Sequence, residues 1–211
     1  MGRGASQLLG TEASRLMLNP TRWRFETGIT MLELMMTLFI LAIVLALGMP
    51  ATARWVRQSD IRSSAENLRS ALQKARAEAI ARNMKIYISF GDPKGIPQWT
   101  IGCVTTTTLC PGNMYSQAPT NGGRIRWGGA RAAAAVDTSA ALAVGTDMPG
   151  NVEFHPLGNA PKVVSGTDTA RIDVFSPGDS SAGRLVVRID GAGNVSICDP
   201  GLPDADIRRC R

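Results

Sequence analysis

Gly28-Ile29-Thr30-Met31-Leu32-Glu33-Leu34 opens an apolar run that continues to Ala51, and the reading of this junction decides the fold. Residues 34 to 49 carry no charge, and Thr37 is their one appreciably polar side chain. From Thr30 to about Ala53 the run is long enough to cross a hydrocarbon core of ~30 Å. Glu33 stands alone at its mouth, and an acid at the edge of a membrane span is costly enough to make function its default reading. Pro50, near the outer end, lacks an N–H and clashes with the preceding turn, which predicts a kink or melted turn there.

Working back from the junction, residues 1 to 28 are polar and irregular, with Arg3, Arg15, Arg22 and Arg24 and a helix-breaking Pro20. An ordinary secretory signal has its apolar part before the cut. Here the small residue Gly28 precedes the apolar segment, so a cut after it leaves the span on the mature chain. Met17 offers a second start with a shorter leader. The basic leader places the N-terminus in the cytoplasm and the rest outside, although Arg54 and Arg57 beyond the span weaken that asymmetry.

Working forward, Ile61, Ala65, Leu68, Leu72, Ala75 and Ala79 recur at intervals of four and three, a narrow apolar stripe flanked by Arg62, Arg69, Lys74, Arg76, Glu78 and Arg82. With Asp60 and Asn83 as helix-edge residues, the whole of 30–83 reads as one long helix, apolar all round and then amphipathic. Strict alternation over Lys85–Phe90 predicts a strand laid on the stripe. Further strands are expected at Gln98–Val104, Arg124–Trp127, Val152–His155, Arg171–Phe175, Leu185–Asp190 and Asn194–Cys198, with Gly191-Ala192-Gly193 turning the last pair. The Ala-rich 130–143 gives no clear signal. The expected architecture is α+β, a long helix on an antiparallel sheet of six or seven strands.

The four cysteines, Cys103, Cys110, Cys198 and Cys210, all follow the span. An even number in one compartment points to disulfides in an oxidising space; three pairings are open, with the short loops 103–110 and 198–210 the favoured closures. No C-x-x-C spacing occurs, and the single His155 has no evident metal partner. Trp55 reads as an interfacial anchor, and Trp99 and Trp127 as core or sheet residues. The formal charge of +6 falls to +4 after Gly28, since four Arg and two Glu precede Ile29. That mild excess permits contact with phosphates without demanding it.

The Gly28 junction, Glu33 at the fifth mature position, the apolar run and Pro50 together resemble the class III signal of type IV pilins and type II secretion pseudopilins. Ile29 departs from the more usual Phe. The stretch from Ser63 to Asn83 and the strand after it are similar to the GspH/FimT group of minor pilins and pseudopilins, with the Leu185–Cys198 hairpin adding support. The resemblance implies a type IV pilin-like fold. It implies a leader 1–28 removed by a prepilin peptidase that then methylates the amine of Ile29, an inner-membrane and filament-core helix 29–53, and a periplasmic or extracellular head 54–211 with helix 54–83 and sheet 84–211. Expected partners are other minor pilins with the major pilin, or pseudopilins. The leading role is initiating or capping a type IV pilus, and the alternative is the tip of a type II secretion pseudopilus. In a packed bundle, Glu33 would be an unpaired buried charge unless it met the new ammonium of Ile29. At ~4 Å and an intermediate dielectric, that attraction is about 4 kcal/mol before desolvation.

Some members of that group bind DNA through a Gly-Arg-x-Arg element in the C-terminal hairpin. The matching turn here is Gly193-Asn194-Val195-Ser196, without arginines. Gly123-Arg124-Ile125-Arg126 lies mid-domain and reads as a solvated strand face. The tail Arg208-Arg209-Cys210-Arg211 offers three cations for weak, salt-sensitive phosphate contact, offset by Asp199, Asp204 and Asp206. No nucleophile elbow, phosphate loop or metal triad is present, so the sequence points to no enzyme and no cofactor.

Overall fold

The structure is a computed structural model describing residues 28–91, 94–119, 123–130, 151–165 and 167–210; the side chains of 47–51, 164 and 180 lie outside that description. Residues 1–27 of the expected leader, residues 131–143 of the Ala-rich stretch and Arg211 therefore fall outside it. The chain divides into two compact units between Ala46 and Leu47.

Helix α1 spans Met31–Arg82. Every residue through Pro50 is helical, so the melted turn predicted there does not form, and Asp60 lies inside the helix rather than at an edge. The helix ends on Asn83 (φ 50°), where the Asn83 N–H donates to Ile80 C=O and the Met84 N–H to Ala79 C=O. Those two bonds satisfy carbonyls that the last turn leaves open. Among the described residues no helix is long and apolar enough to cross a membrane.

The stripe from Ile61 to Ala79 is buried as its spacing requires, and Ala71 joins it. Burying Leu68 and Leu72 contributes roughly 1.5–3 kcal/mol each, while the alanines at 65, 71, 75 and 79 let the sheets approach the helix closely. Eight strands lie against this face: β1 Ile86–Ser89, β2 Trp99–Cys103, β3 Tyr115–Gln117, β4 Arg126–Ala130, β5 Asn151–Phe154, β6 Arg171–Phe175, β7 Arg184–Ile189 and β8 Val195–Cys198. They form two antiparallel sheets, ordered β3-β2-β1-β5 and β4-β6-β7-β8, instead of the single expected sheet. The division follows from pairing that is distant in sequence: Ile86 faces Phe154 of β5, whereas Trp127 faces Val174 of β6.

Both sheets share one core with α1. Ile88 sits between Ile101 and Val152, Ile172 opposes Val187, and Ile189 opposes Val195, all within the cluster that holds the helix stripe. β4 begins two residues later than the Arg124–Trp127 expectation because Gly123 turns the chain at φ 79°, and the Arg126 guanidinium donates back to its carbonyl (2.6 Å). The short helix α2, Pro161–Val164, follows β5.

Candidate processing and assembly site

At the start of α1, the Thr30 hydroxyl accepts the Glu33 N–H (3.2 Å) and the Thr30 carbonyl accepts the Leu34 N–H (3.1 Å). Thr30 is thus the N-cap and Glu33 the third helical residue. Thr-x-x-Glu is the order of a capping box, a signal that stands in the sequence at residues 30–33. A carboxylate in the first turn also meets the positive end of the helix dipole, a favourable term of about 0.3–1 kcal/mol for an exposed group. Gly28 and Ile29 are exposed just before this cap. A Cβ added at Gly28 would meet nothing within 4 Å, so the fold places no demand for glycine there. Behind the cap, Met31, Met35, Phe39, Ile40, Ile43 and Val44 point in different directions and are all exposed. A helix that is apolar all round belongs in apolar surroundings.

The head is fastened to α1 by polar contacts at several heights. Arg57 meets Asp179 at 2.6 Å. Bonds from Ser181 and then Arg57 hold the Asp179 carboxyl at about 2, below the usual carboxylate range. Trp127 Nε1 donates to Ser64 Oγ (3.0 Å) inside the stripe. Arg76 donates to the carbonyls of Gly158 (2.9 Å) and Ala192 (3.2 Å) and to Asn194 Oδ1 (3.3 Å), clamping the β7–β8 turn. Near the helix end, Glu78 accepts from Arg82 (2.7 Å) and Tyr115 (3.1 Å), Lys74 lies 3.3 Å over the Tyr115 ring, and Arg82 reaches the Leu109 carbonyl. The Arg82 bond holds the Glu78 carboxyl below its ordinary value. Glu153, buried in β5, is ringed by Lys162 (2.5 Å), His155 (3.2 Å) and Lys85 (3.6 Å). Burial pushes its carboxyl up, but these neighbours, Lys162 foremost, bring it below the usual range.

The favoured cysteine closures are the ones formed: Cys103–Cys110 and Cys198–Cys210. The second bridge closes a loop whose cations are already engaged. Arg208 pairs with Asp206 (2.7 Å), while Arg209 pairs with Asp204 (2.8 Å) and donates to the Leu202 carbonyl. The structure therefore brings together Arg208, Arg209 and their neutralising acids, as the sequence anticipated. It places them in the C-terminal loop of the head.

A family model described as type II transport protein GspH matches residues 64–198, from the buried stripe to the end of β8. The chain belongs to the GspH family. It is accordingly a minor pilin or pseudopilin. Among solved structures, it is similar to the type IV minor pilin FimU of Pseudomonas aeruginosa, at 18% identity and a TM-score of 0.47 over 74% of this chain and 99% of that one. It is also similar to the minor pseudopilin EpsH from the type 2 secretion system of Vibrio cholerae, at 14% identity and 0.41 over 67% and 98%. No curated protein matches it. Other features of this GspH-family head have structural occupations. His155 ends β5 beside Glu153; Arg124 lies 3.6 Å from Asp60; Ile125 is in the core. Trp99 donates to Gln117 across β2 and β3, and Trp55 is exposed on α1. Among the described residues no group of three or more His, Cys, Asp and Glu side chains could hold a metal ion.

Proposed function

We propose that this chain is a minor pilin that helps initiate or cap a type IV pilus, entering the filament through the Gly28–Glu33 junction. The observation that carries the proposal is the capped Glu33, one helical turn after Ile29 and at the head of an exposed apolar helix. A prepilin peptidase cutting after Gly28 creates an ammonium on Ile29 and methylates it. The peptidase, not the fold, requires glycine, because the chain must lie close to its active site. Before assembly the apolar run of residues 34–49 anchors the chain in the inner membrane, N-terminus cytoplasmic and head periplasmic. In the filament, Glu33 pairs with the Ile29 ammonium of its own chain or a neighbour's. A misregistered subunit leaves both charges buried and unpaired, a cost of several kcal/mol that selects the correct register.

Incorporation into sheared filaments tests this. Glu33→Leu is expected to give mature-sized protein and little incorporation, and normal incorporation of that variant would refute the role of Glu33. Gly28→Val should leave a full-length, membrane-bound precursor, whereas a mature-sized band would refute the cut. The family description favours a second reading, a minor pseudopilin of type II secretion. A deletion scored for surface pili and twitching against exoprotein secretion separates the two.

A further inference from the structure

β8 is an outer strand of the second sheet, and its hairpin with β7 fixes which backbone groups face outward. The Asp190 N–H donates to Asn194 C=O (3.1 Å) and the Gly193 N–H to Asp190 C=O (2.9 Å), so 190 and 194 are a hydrogen-bonded pair. Alternation makes Arg188/Ser196 and Val186/Cys198 bonded pairs, and Ile189/Val195 and Val187/Ile197 non-bonded ones. Ile189 agrees in phase, since its N–H donates to Ala170 on the opposite side. The N–H and C=O of Val195 and Ile197 therefore point away from β7, and neither has a partner among the described residues.

Two other outer strands, β5 and β4, are capped. In β5, the Glu153 N–H is taken by the Asp168 carboxylate (2.7 Å) and the Asn151 carbonyl by the Thr169 N–H. In β4, the Trp127 N–H is taken by Gly95 C=O (2.7 Å). On the β8 edge the chain's own tail already pairs one residue further on, where Asp199 bridges Arg209 in parallel. That edge accepts a strand, and its next two positions are open.

Beside it runs a groove of about 230 Å³ lined by Arg62, Arg69, Leu185, Ile197, Leu202 and Arg208. Its two carboxylates are engaged: Glu66 faces Arg62 at 3.7 Å, and Asp199 Oδ1 accepts the Gly201 N–H at 2.8 Å. Arg69 has no carboxylate within ion-pair distance among the described residues, which leaves its guanidinium open to an incoming carboxylate. We propose that the β8 edge docks an extended strand of a neighbouring filament subunit, in which acidic and apolar side chains alternate. It adds to the sheet through Val195 and Ile197 and turns its carboxylates, all on one face, into the groove against Arg69 and Arg62, which leaves its apolar side chains on the opposite face. Main-chain bonds supply affinity and the flanking side chains supply selectivity. This partner assignment rests on the filament reading; the edge itself does not.

Amide exchange on the full chain in detergent tests the edge, with a short synthetic Glu-Val alternating peptide as probe and its Lys-Val counterpart as control. The Glu peptide at about 1 mM should slow exchange at Val195 and Ile197 roughly tenfold. Ile197→Pro, which removes an outward N–H and leaves the β7 ladder intact, should abolish that protection, as should Arg62→Glu/Arg69→Glu. No protection, or equal protection by the Lys peptide, overturns the edge. In sheared filaments both variants should fall roughly tenfold below the wild type. Wild-type incorporation of both overturns the neighbouring subunit as occupant. Peptide protection with no wild-type chain in filaments overturns that occupant and the filament reading while sparing the edge.

Discussion

Gly193 and Gly183 form a matched pair for testing how tightly the β7–β8 hairpin is held. Both have left-handed backbones, φ 78° and 76°. Alanine in that conformation costs about 1–2 kcal/mol, offset by roughly 0.4–1 kcal/mol from a stiffer unfolded chain. At Gly183 a Cβ meets nothing within 4 Å, so Gly183→Ala should cost about 1 kcal/mol in total. At Gly193 the same atom would lie 2.0 Å from the Gly158 carbonyl oxygen, well inside contact distance. Relief requires moving either the turn or the 155–159 loop, and Arg76 bonds both. Losing two to three of those bonds, at about 1 kcal/mol each, brings Gly193→Ala to about 3–4 kcal/mol. For a head of this size, 1 kcal/mol corresponds to ~2–4 °C. Thermal unfolding followed by circular dichroism should therefore drop by ~2–4 °C for Gly183→Ala and by ~6–16 °C for Gly193→Ala. Arg76→Ala combined with Gly193→Ala should be less than additive, since both release the same clamp. Midpoints of the two glycine variants agreeing within ~1 °C would refute the close approach and the clamp together.

Two further outcomes follow from the contacts of the head. The Asp179 carboxyl is held at about 2 against an ordinary 3.8, so its stabilisation is complete above about pH 4 and is lost as pH falls through the folded value. The wild-type melting midpoint should thus fall more steeply between about pH 4 and pH 2 than that of Asp179→Asn, and parallel curves would remove the Arg57–Asp179 tie from the stability of the head. The Cys198–Cys210 bridge closes a separation of 12 residues. Cys198→Ser/Cys210→Ser should cost about 2–3 kcal/mol by denaturant titration and leave β1–β5 in place, and an unchanged midpoint would show that the pairs Arg209–Asp204 and Asp199–Arg209 suffice to hold the loop.

The helix was legible because burial imposes a period on it: every residue from Ile61 to Ala79 singled out by spacing is in the core. The strands β6 to β8 were legible from alternation and the Gly191–Gly193 turn, β6 at its expected bounds and β7 and β8 with edges moved by a residue. The division into two sheets was not, because nothing local to Ile86 announces Phe154 as its neighbour. Tyr115–Gln117 escaped because it is short and polar, held by the main chain and by Tyr115 on Lys74 and Glu78. Buried Ser64, Glu153 and Asp173 also escaped. Alternation marks polar residues as solvent-facing, and only the structure reveals the Trp127 indole, the lysines and the paired arginines that satisfy them. At the candidate assembly site the Thr-x-x-Glu order of Thr30 and Glu33 was in plain view, and its Thr30 cap on the Glu33 N–H is formed, but Glu33 drew all its meaning from the apolar run behind it.

The two disulfides are sequential in the chain and never interleaved: Cys103 closes on Cys110, and Cys198 on Cys210. A head delivered in chain order to an oxidising compartment presents Cys103 and Cys110 together, well before Cys198 appears. At that moment the first pair can oxidise with no competing thiol in reach. The second pair then meets only each other. Although four cysteines permit three pairings, delivery in chain order favours the one observed, so the native arrangement should form without an isomerase to correct it. An oxidant alone should complete the bridges, at a rate set by how fast the chain is delivered.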